Sequence, residues 1–238
     1  MRIALIGYGK MGHMIEAIAL ERSHQVVLKI NIENIDDFNK ENMVSVDVAI
    51  EFTTPHTAFE NVKKCIDFGV PVISGSTGWN DRLLQVKEYC KQRNGTFLHA
   101  SNFSIGVNIF FEINTALARL MKEQISYDVS LKEIHHTQKL DAPSGTAVTL
   151  AEHIIAQIKS KEKWVNTNTT VPEELSIISE RVDPAPGTHH IKYSSKVDDI
   201  EIIHTAHSRK GFALGAVLAA EYILGKKGVF TMKDILNL

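Results

Sequence analysis

RIALIGYGKMGHMIEAIALERS, residues 2–23, sets the architecture of this 238-residue chain. Residues 2–6 are a continuous apolar run, as a short buried strand requires. Gly7-Tyr8-Gly9-Lys10-Met11-Gly12 follows at once as G-x-G-x-x-G, and residues 14–23 read as a helix. Strand, glycine turn and helix form the context in which this motif binds a dinucleotide. The first glycine permits the tight turn, the second lets a pyrophosphate approach the backbone, and the third lets the helix pack close to the strand. A plain turn with glycines used only for packing is the weaker reading, because the motif stands where strand gives way to helix.

The same beat continues downstream. VVLKIN (26–31) predicts a second strand, VSVDVAIEFT (44–53) a third, VPVISGSTG (70–78) a fourth and TFLHASNFS (96–104) a fifth. Between them, residues 58–69 and 79–95 predict helices, and the polar stretch 32–43 a surface connection. Alternating strand and helix with short turns indicates an open parallel sheet, whose ligands sit at the carboxyl ends of the strands. Those ends carry the glycine turn, Phe52-Thr53-Thr54-Pro55, Gly75-Ser76-Thr77-Gly78 and Ala100-Ser101-Asn102-Phe103. They are rich in glycine, hydroxyl and amide groups, which suits a long polar cofactor. Asn31 lies nineteen residues past Gly12, where an acid would bind the adenosine ribose of NAD. Asn does not repel a 2′-phosphate and nearby Lys29 would attract one, so NADH and NADPH both stay open.

The pattern changes after Ser104. Residues 105–123 predict one long apolar helix, and 127–136 a strand that leads into EIHHTQKLDAPSGT (133–146). A helix over 146–160 follows, then a loop-like polar stretch at 163–175. Strands are predicted at 175–182, 188–196 and 199–208, and helices at 212–225 and 230–236. The expected fold is therefore α/β. A dinucleotide-binding domain spans 1–105, completed by the helices of 211–238. An α+β domain with a mostly antiparallel sheet spans 106–210.

In the 133–146 stretch, two histidines, a lysine and a Ser-Gly-Thr helix start lie close together. Helix N-termini offer unpaired N–H groups and a partial positive charge, so they bind anions. His135 and His136 must face opposite ways if the backbone there is extended. The reading is an anion site with a proton donor beside it. Solvated histidines on a polar loop are the bland alternative. Arg181 and Arg209 read as structural or interface ion pairs, and Asp141 as a residue that orients the loop or caps the helix. Adjacent histidines rarely converge on one metal, and no third ligand stands at a suitable spacing, so no metal is expected.

GYGKMG, EFTTP, GSTG, SNFSIGVN, EIHHTQKLDAPSGT, PGTHHI and HSRKGFALGAVLAA, in this order, resemble the 4-hydroxy-tetrahydrodipicolinate reductase (dihydrodipicolinate reductase) family of lysine and diaminopimelate biosynthesis. The resemblance spans nearly the whole chain, and HH-x-x-K-x-D-A-P-S-G-T is its most specific motif. It implies an NADH- or NADPH-dependent reductase with a Rossmann domain and a substrate domain whose sheet forms the core of a homotetramer. It implies His135 as catalytic acid/base and Lys139 as proton donor near a ring nitrogen. His136, Ser144, Gly145 and Thr146 would hold a carboxylate of a small cyclic dicarboxylate substrate. Gly7, Tyr8, Gly9, Lys10, Met11, Gly12, Asn31, Phe52, Gly75, Ser76, Thr77, Ala100, Ser101, Asn102 and Phe103 would line the cofactor. Rival readings are a related dehydrogenase acting on an amino acid or sugar, and an NAD(H) sensor. The compact HH-x-x-K cluster favours a dicarboxylate, and no segment is left over to serve as an effector region.

A net charge of −2 gives no basic bias, which argues against nucleic acid or an anionic membrane as partner. Cys65 and Cys90 lie in helix-like segments without metal spacing and read as buried free thiols. The N-terminal apolar run is broken by glycines and reads as no signal peptide, and no apolar stretch is long enough to span a bilayer. A cytoplasmic location is the expectation.

Overall fold

The computed structural model describes all 238 residues. The chain begins with β1 (Arg2–Ile6), four of whose five residues are buried, and turns through the glycines into α1 (Lys10–Glu21). There follow β2 (Gln25–Ile30), α2 (Lys40–Met43), β3 (Val48–Glu51), α3 (Ala58–Asp67), β4 (Val72–Ser74), α4 (Leu83–Gln92) and β5 (Thr96–His99). The next segment runs α5 (Ile105–Met121), β6 (Asp128–His135), α6 (Gly145–Gln157), β7 (Lys163–Val165), β8 (Glu174–Arg181), β9 (Gly187–Ser194) and β10 (Asp199–Ala206). The chain closes with α7 (Lys210–Ile223), β11 (Gly228–Phe230) and α8 (Met232–Leu236). Two units result: Met1–Ile105 with Lys210–Leu238, and Gly106–Arg209.

In the first unit, six strands form a sheet in the order β11-β5-β4-β3-β1-β2, every pair parallel. Parallel strands covered on both faces need apolar side chains on both, and β3 and β4 are buried at every position. One face packs α3 and α4 residues such as Phe59, Val62 and Val86. The other packs α1 and the small-residue helix α7. Gly215 lets α7 approach closely, since a Cβ there would lie 1.7 Å from the Phe103 carbonyl oxygen.

In the second unit, five strands run in the order β10-β9-β6-β8-β7. The long ladders of β9 with β10 and with β6 are antiparallel, while β8 runs parallel to both β6 and β7. β6 alternates strictly, burying Val129, Leu131, Glu133 and His135, and β9 buries Gly187, His189, Ile191 and Tyr193. α5 and α6 supply Val107, Phe110, Leu150 and Ile154 to the core.

Four local expectations are corrected. Residues 32–43 are more than a surface connection: they hold a 3₁₀ turn (Ile35–Asp37) and α2, with Phe38 and Met43 buried. The third strand is only Val48–Glu51, because Asn39 caps α2, its Oδ1 accepting from Asn42 N–H at 3.0 Å, and the chain then turns back. Within 163–175, read as loop, residues 163–165 form β7 on the outer side of β8. The stretch ending in Phe230 begins with β11, which adds a sixth strand through Gly228–Phe230 pairing with β5.

Candidate active site

At the carboxyl edge of the first sheet, each glycine of the motif has a different reason to be glycine. Gly7 has φ +96°, and a Cβ there would sit 2.0 Å from the Phe52 carbonyl oxygen. Gly12 packs α1 against the turn, a Cβ meeting the Gly7 oxygen at 2.8 Å. In front of Gly9 there is nothing within 4 Å. Gly9 is also the N-cap of α1, where no side chain caps the helix. An open backbone at an uncapped helix start is the cradle a pyrophosphate needs, so the residues present fit a dinucleotide. Tyr8 is half-buried, its hydroxyl donating to Glu16, and Lys29 pairs with Glu16 at 2.6 Å while lying 4.9 Å from the Tyr8 ring centroid. Lys10 is exposed and Met11 half-buried beside them.

The neighbouring loops are organised by a residue the sequence reading passed over. Glu51, at the end of β3, is fully buried and accepts from Ser74 Oγ, Ser76 Oγ (2.8 Å), Thr53 N–H (2.9 Å) and the Thr53 hydroxyl. Ser76 therefore spends its hydroxyl inside the fold. Gly75 gives room to the Phe52 ring, which would lie 2.2 Å from an added Cβ, and Phe52 packs on Phe103 with centroids 5.8 Å apart. Phe103 is buried and supports the edge from below, whereas Thr77 and Ser101 are exposed and Ala100 and Asn102 half-exposed. Asn31 turns inward on its own loop, its Oδ1 accepting from Glu33 N–H at 2.8 Å and Asn34 N–H at 3.2 Å. Its carbonyl oxygen is thus committed to the turn.

In the second unit, β6 delivers His135 and His136 to opposite faces. His135 points inward: its Nδ1 lies 3.4 Å from Glu133 Oε2, and its ring is 5.2 Å from that of His189. Gly187 makes room for it, since a Cβ there would come within 3.0 Å of His135 Nε2. His136 instead meets Arg209, whose Nη2 donates to Nε2 at 2.7 Å. A guanidinium only donates, so His136 accepts at that nitrogen. Lys139 is bound by both oxygens of Asp141, at 2.8 and 2.9 Å.

Glu133 is the centre of this face. It is fully buried and accepts from Ser144 N–H at 3.0 and 3.1 Å, with both terminal nitrogens of Arg181 3.5 Å from its Oε1. Arg181 also donates to the carbonyls of Lys139 (3.3 Å) and Asp141 (2.5 Å), which fixes the loop carrying Lys139. Ser144 caps α6, its Oγ accepting from Ala147 N–H at 3.2 Å, and the same oxygen lies 3.2 Å from His189 Nε2. The Ser144 side chain is thereby used within the fold, while the space before Gly145 is open and Thr146 follows in the first turn. Burial pushes the His135 imidazole down to about 4, with Lys139 and Arg181 adding to the shift and Glu133 opposing it. Burial likewise lowers His189 to about 3. Both rings are neutral at pH 7. Burial pushes the Glu133 carboxyl up, but hydrogen bonds from Ser144 outweigh it and hold the group below the usual carboxylate range.

The structure brings His135, Ser144 and the Lys139 loop around Glu133, and puts His136 with Arg209. Asp141 pairs with Lys139 and does not cap α6, and Arg181 is a structural ion pair to Glu133. The adjacent histidines diverge, and folding sets Glu133 and His189, not His136, beside His135. A signal for both was present: Glu133 has the parity of Leu131, and His189 that of Ile191, so each lies on its strand's buried face.

A six-stranded parallel sheet with a glycine-turn cradle, joined to a unit bearing a neutral histidine, an ammonium and an open helix start, defines a Rossmann-type NAD(P)H-dependent oxidoreductase. Residues 1–103 match the family model described as dihydrodipicolinate reductase, N-terminus, and residues 106–236 its C-terminus. The chain belongs to the 4-hydroxy-tetrahydrodipicolinate reductase (dihydrodipicolinate reductase) family. It is 49% identical over 239 residues to the 4-hydroxy-tetrahydrodipicolinate reductase of Christiangramia forsetii, covering 100% of this chain and 98% of that one. It is 34% identical over 230 residues to the enzyme of that name from Neisseria meningitidis serogroup B, covering 94% and 84%. Among solved structures, dipicolinate-bound dihydrodipicolinate reductase from Paenisporosarcina sp. TG-14 shares the fold, with a TM-score of 0.77, 24% identity and 97% of each chain covered.

Proposed function

We propose that this chain reduces 4-hydroxy-tetrahydrodipicolinate to tetrahydrodipicolinate with NADH or NADPH, in lysine and diaminopimelate biosynthesis. Family membership over both halves of the chain carries the reading. The bound cofactor supplies hydride. The open backbone at Gly9 holds its pyrophosphate, and the edge from Phe52, Gly75, Thr77 and Ala100 to Asn102 borders it, with Ser76 and Phe103 shaping that edge from within. Lys29 would have to leave Glu16 to meet a 2′-phosphate.

For the substrate, the N–H groups of Gly145 and Thr146 at the start of α6 take one carboxylate, and His136 with Arg209 supplies donor groups for anionic parts of the ring system. Lys139 is the proton donor. Its ammonium is held by Asp141, within reach of a loop that Arg181 fixes. His135 is neutral in the free protein, so it starts as an acceptor. A dianionic substrate nearby raises its affinity for a proton and lets it act as the acid/base partner of Lys139. No helix is long and apolar enough to cross a membrane, and a cytoplasmic location is part of the same reading. Assembly as a homotetramer is a further part, supported by the edge strand β10, where Ile200 and Ile203 are exposed.

The test is oxidation of NADH and of NADPH with cyclic substrate freshly made from pyruvate and aspartate semialdehyde, set beside amino acids and sugar alcohols run in the oxidative direction. Turnover confined to the cyclic dicarboxylate is the expected result. Turnover confined to an amino acid or sugar would replace this reading by the rival dehydrogenase.

A further inference from the structure

Glu133, His135 and His189 form a buried cluster of ligand types close enough together to hold a metal ion. Glu133 and His135 are two apart on β6 and share its inner face. His189 stands directly opposite Glu133 in the β6–β9 ladder. One donor atom from each lies within 4.8 Å of the others, and all three residues are buried. The carboxylate divides its work. Oε1 faces Arg181 at 3.5 Å, while Oε2 faces His135 Nδ1 at 3.4 Å and His189 Nε2 at 3.8 Å, a nitrogen that would exchange its 3.2 Å contact with Ser144 Oγ for the ion.

One atom here is unexplained by the fold alone. The His135 side chain is only 9% exposed, yet its Nδ1 makes no hydrogen bond. Buried polar atoms are nearly always partnered, because leaving one bare costs free energy. The nitrogen is aimed at the space it shares with Glu133 Oε2. Bonds of about 2.0–2.1 Å in a tetrahedron put ligand atoms about 3.3 Å apart, so the separations to Oε2 need contract by about half an ångström at most, and the two histidine nitrogens, within 4.8 Å of each other, must draw together as the ion binds. Two imidazoles and one carboxylate suit zinc and its neighbours and do not suit magnesium or calcium. Arg181 on Oε1 then plays the part of an outer hydrogen-bond donor that orients a ligating carboxylate.

We propose that Glu133, His135 and His189 bind a zinc-class divalent cation, and that the ion, when present, withdraws His135 from the reductase reaction. The binding half stands on the geometry alone. The inhibitory half rests on the role proposed above for His135.

Metal-stripped protein titrated with Zn²⁺ by calorimetry, and with Co²⁺ by visible absorption, tests the site. One ion per chain with the intense cobalt bands of a four-coordinate centre is expected. His189→Gln should weaken binding by about tenfold or more, and Glu133→Gln likewise, while His136→Gln, whose ring faces Arg209, leaves it intact. Absence of saturable binding to the unmodified protein, or binding unchanged in His189→Gln, overturns the site. The first of these needs no variant, so a substitution that fails to fold cannot mask the answer. In the reductase assay, turnover should fall as zinc fills the site and return with a chelator. Zinc held by these residues with turnover unchanged would contradict the part given to His135 and leave the metal site standing.

Discussion

The Glu133 carboxylate lies out of reach of water, and the groups that meet its charge fix the state of everything around it. Arg181 and the Ser144 N–H stand against it, and His135 and His189 stay neutral beside it. With His135 unprotonated at rest, the proposed function gives the proton-donor role to Lys139. Lys139→Ala should therefore lower kcat by about 10²–10⁴-fold, measured at saturating substrate, with cofactor affinity by fluorescence titration unchanged. A collapse of cofactor binding with turnover preserved would move Lys139 out of substrate chemistry. The buried histidines also set the acid stability. Burial holds His99 and His135 near 4 and His189 near 3, against about 6.5 in the unfolded chain. Below pH 6.5 the unfolded chain binds protons that the folded chain refuses, so stability is full above that pH and is lost as the pH falls toward 4. The melting temperature should drop across this window, and His99→Gln should flatten the drop, His99 alone contributing up to about 3 kcal/mol. A melting temperature level from pH 7 to 4 would contradict the neutral, buried assignments. Of this cluster, His135, His136 and Lys139 were legible in the sequence as a dense run of donor groups before a helix start, and their proposed roles only through the family resemblance. The sequence carried the burial of Glu133 and His189 only through strand parity. That the two face each other follows from the β6–β9 register, which no local pattern encodes.

At the level of elements, the glycine turn separates packing from binding. Gly7→Ala would place a Cβ against the Phe52 carbonyl at φ +96°, so it should destabilise the fold by more than about 1 kcal/mol. Gly9→Ala meets open space at an ordinary φ of −99°. It should leave the unfolding midpoint nearly unchanged, within about 0.5 kcal/mol, yet raise KM for NADH and NADPH by filling the approach to the backbone. Thermal unfolding and cofactor titration on the two variants check this, and equal cofactor affinity in Gly9→Ala and the parent would place the pyrophosphate elsewhere. Long elements were legible because their apolar periodicity is long: α1, α5, α7, β6 and β9 all declare themselves. β7 and β11 are three residues each and exist only because a neighbouring strand accepts them. α2 is four residues held by the Asn39 cap inside a stretch whose composition reads as loop.

Across the whole molecule, the proposed reduction divides its work between the two units. In that proposal, the parallel sheet with its glycine cradle holds the hydride donor, and the mixed sheet carries the proposed proton carriers Lys139 and His135. One chain would thereby join hydride and proton delivery in a single reduction. Its most direct test is label transfer from cofactor deuterated at nicotinamide C4 to freshly prepared cyclic substrate, followed by mass spectrometry of the product. One deuterium in the tetrahydrodipicolinate is expected for each NADH or NADPH oxidised. Folded protein that oxidises neither cofactor, or that oxidises it without label appearing in the product, would contradict it.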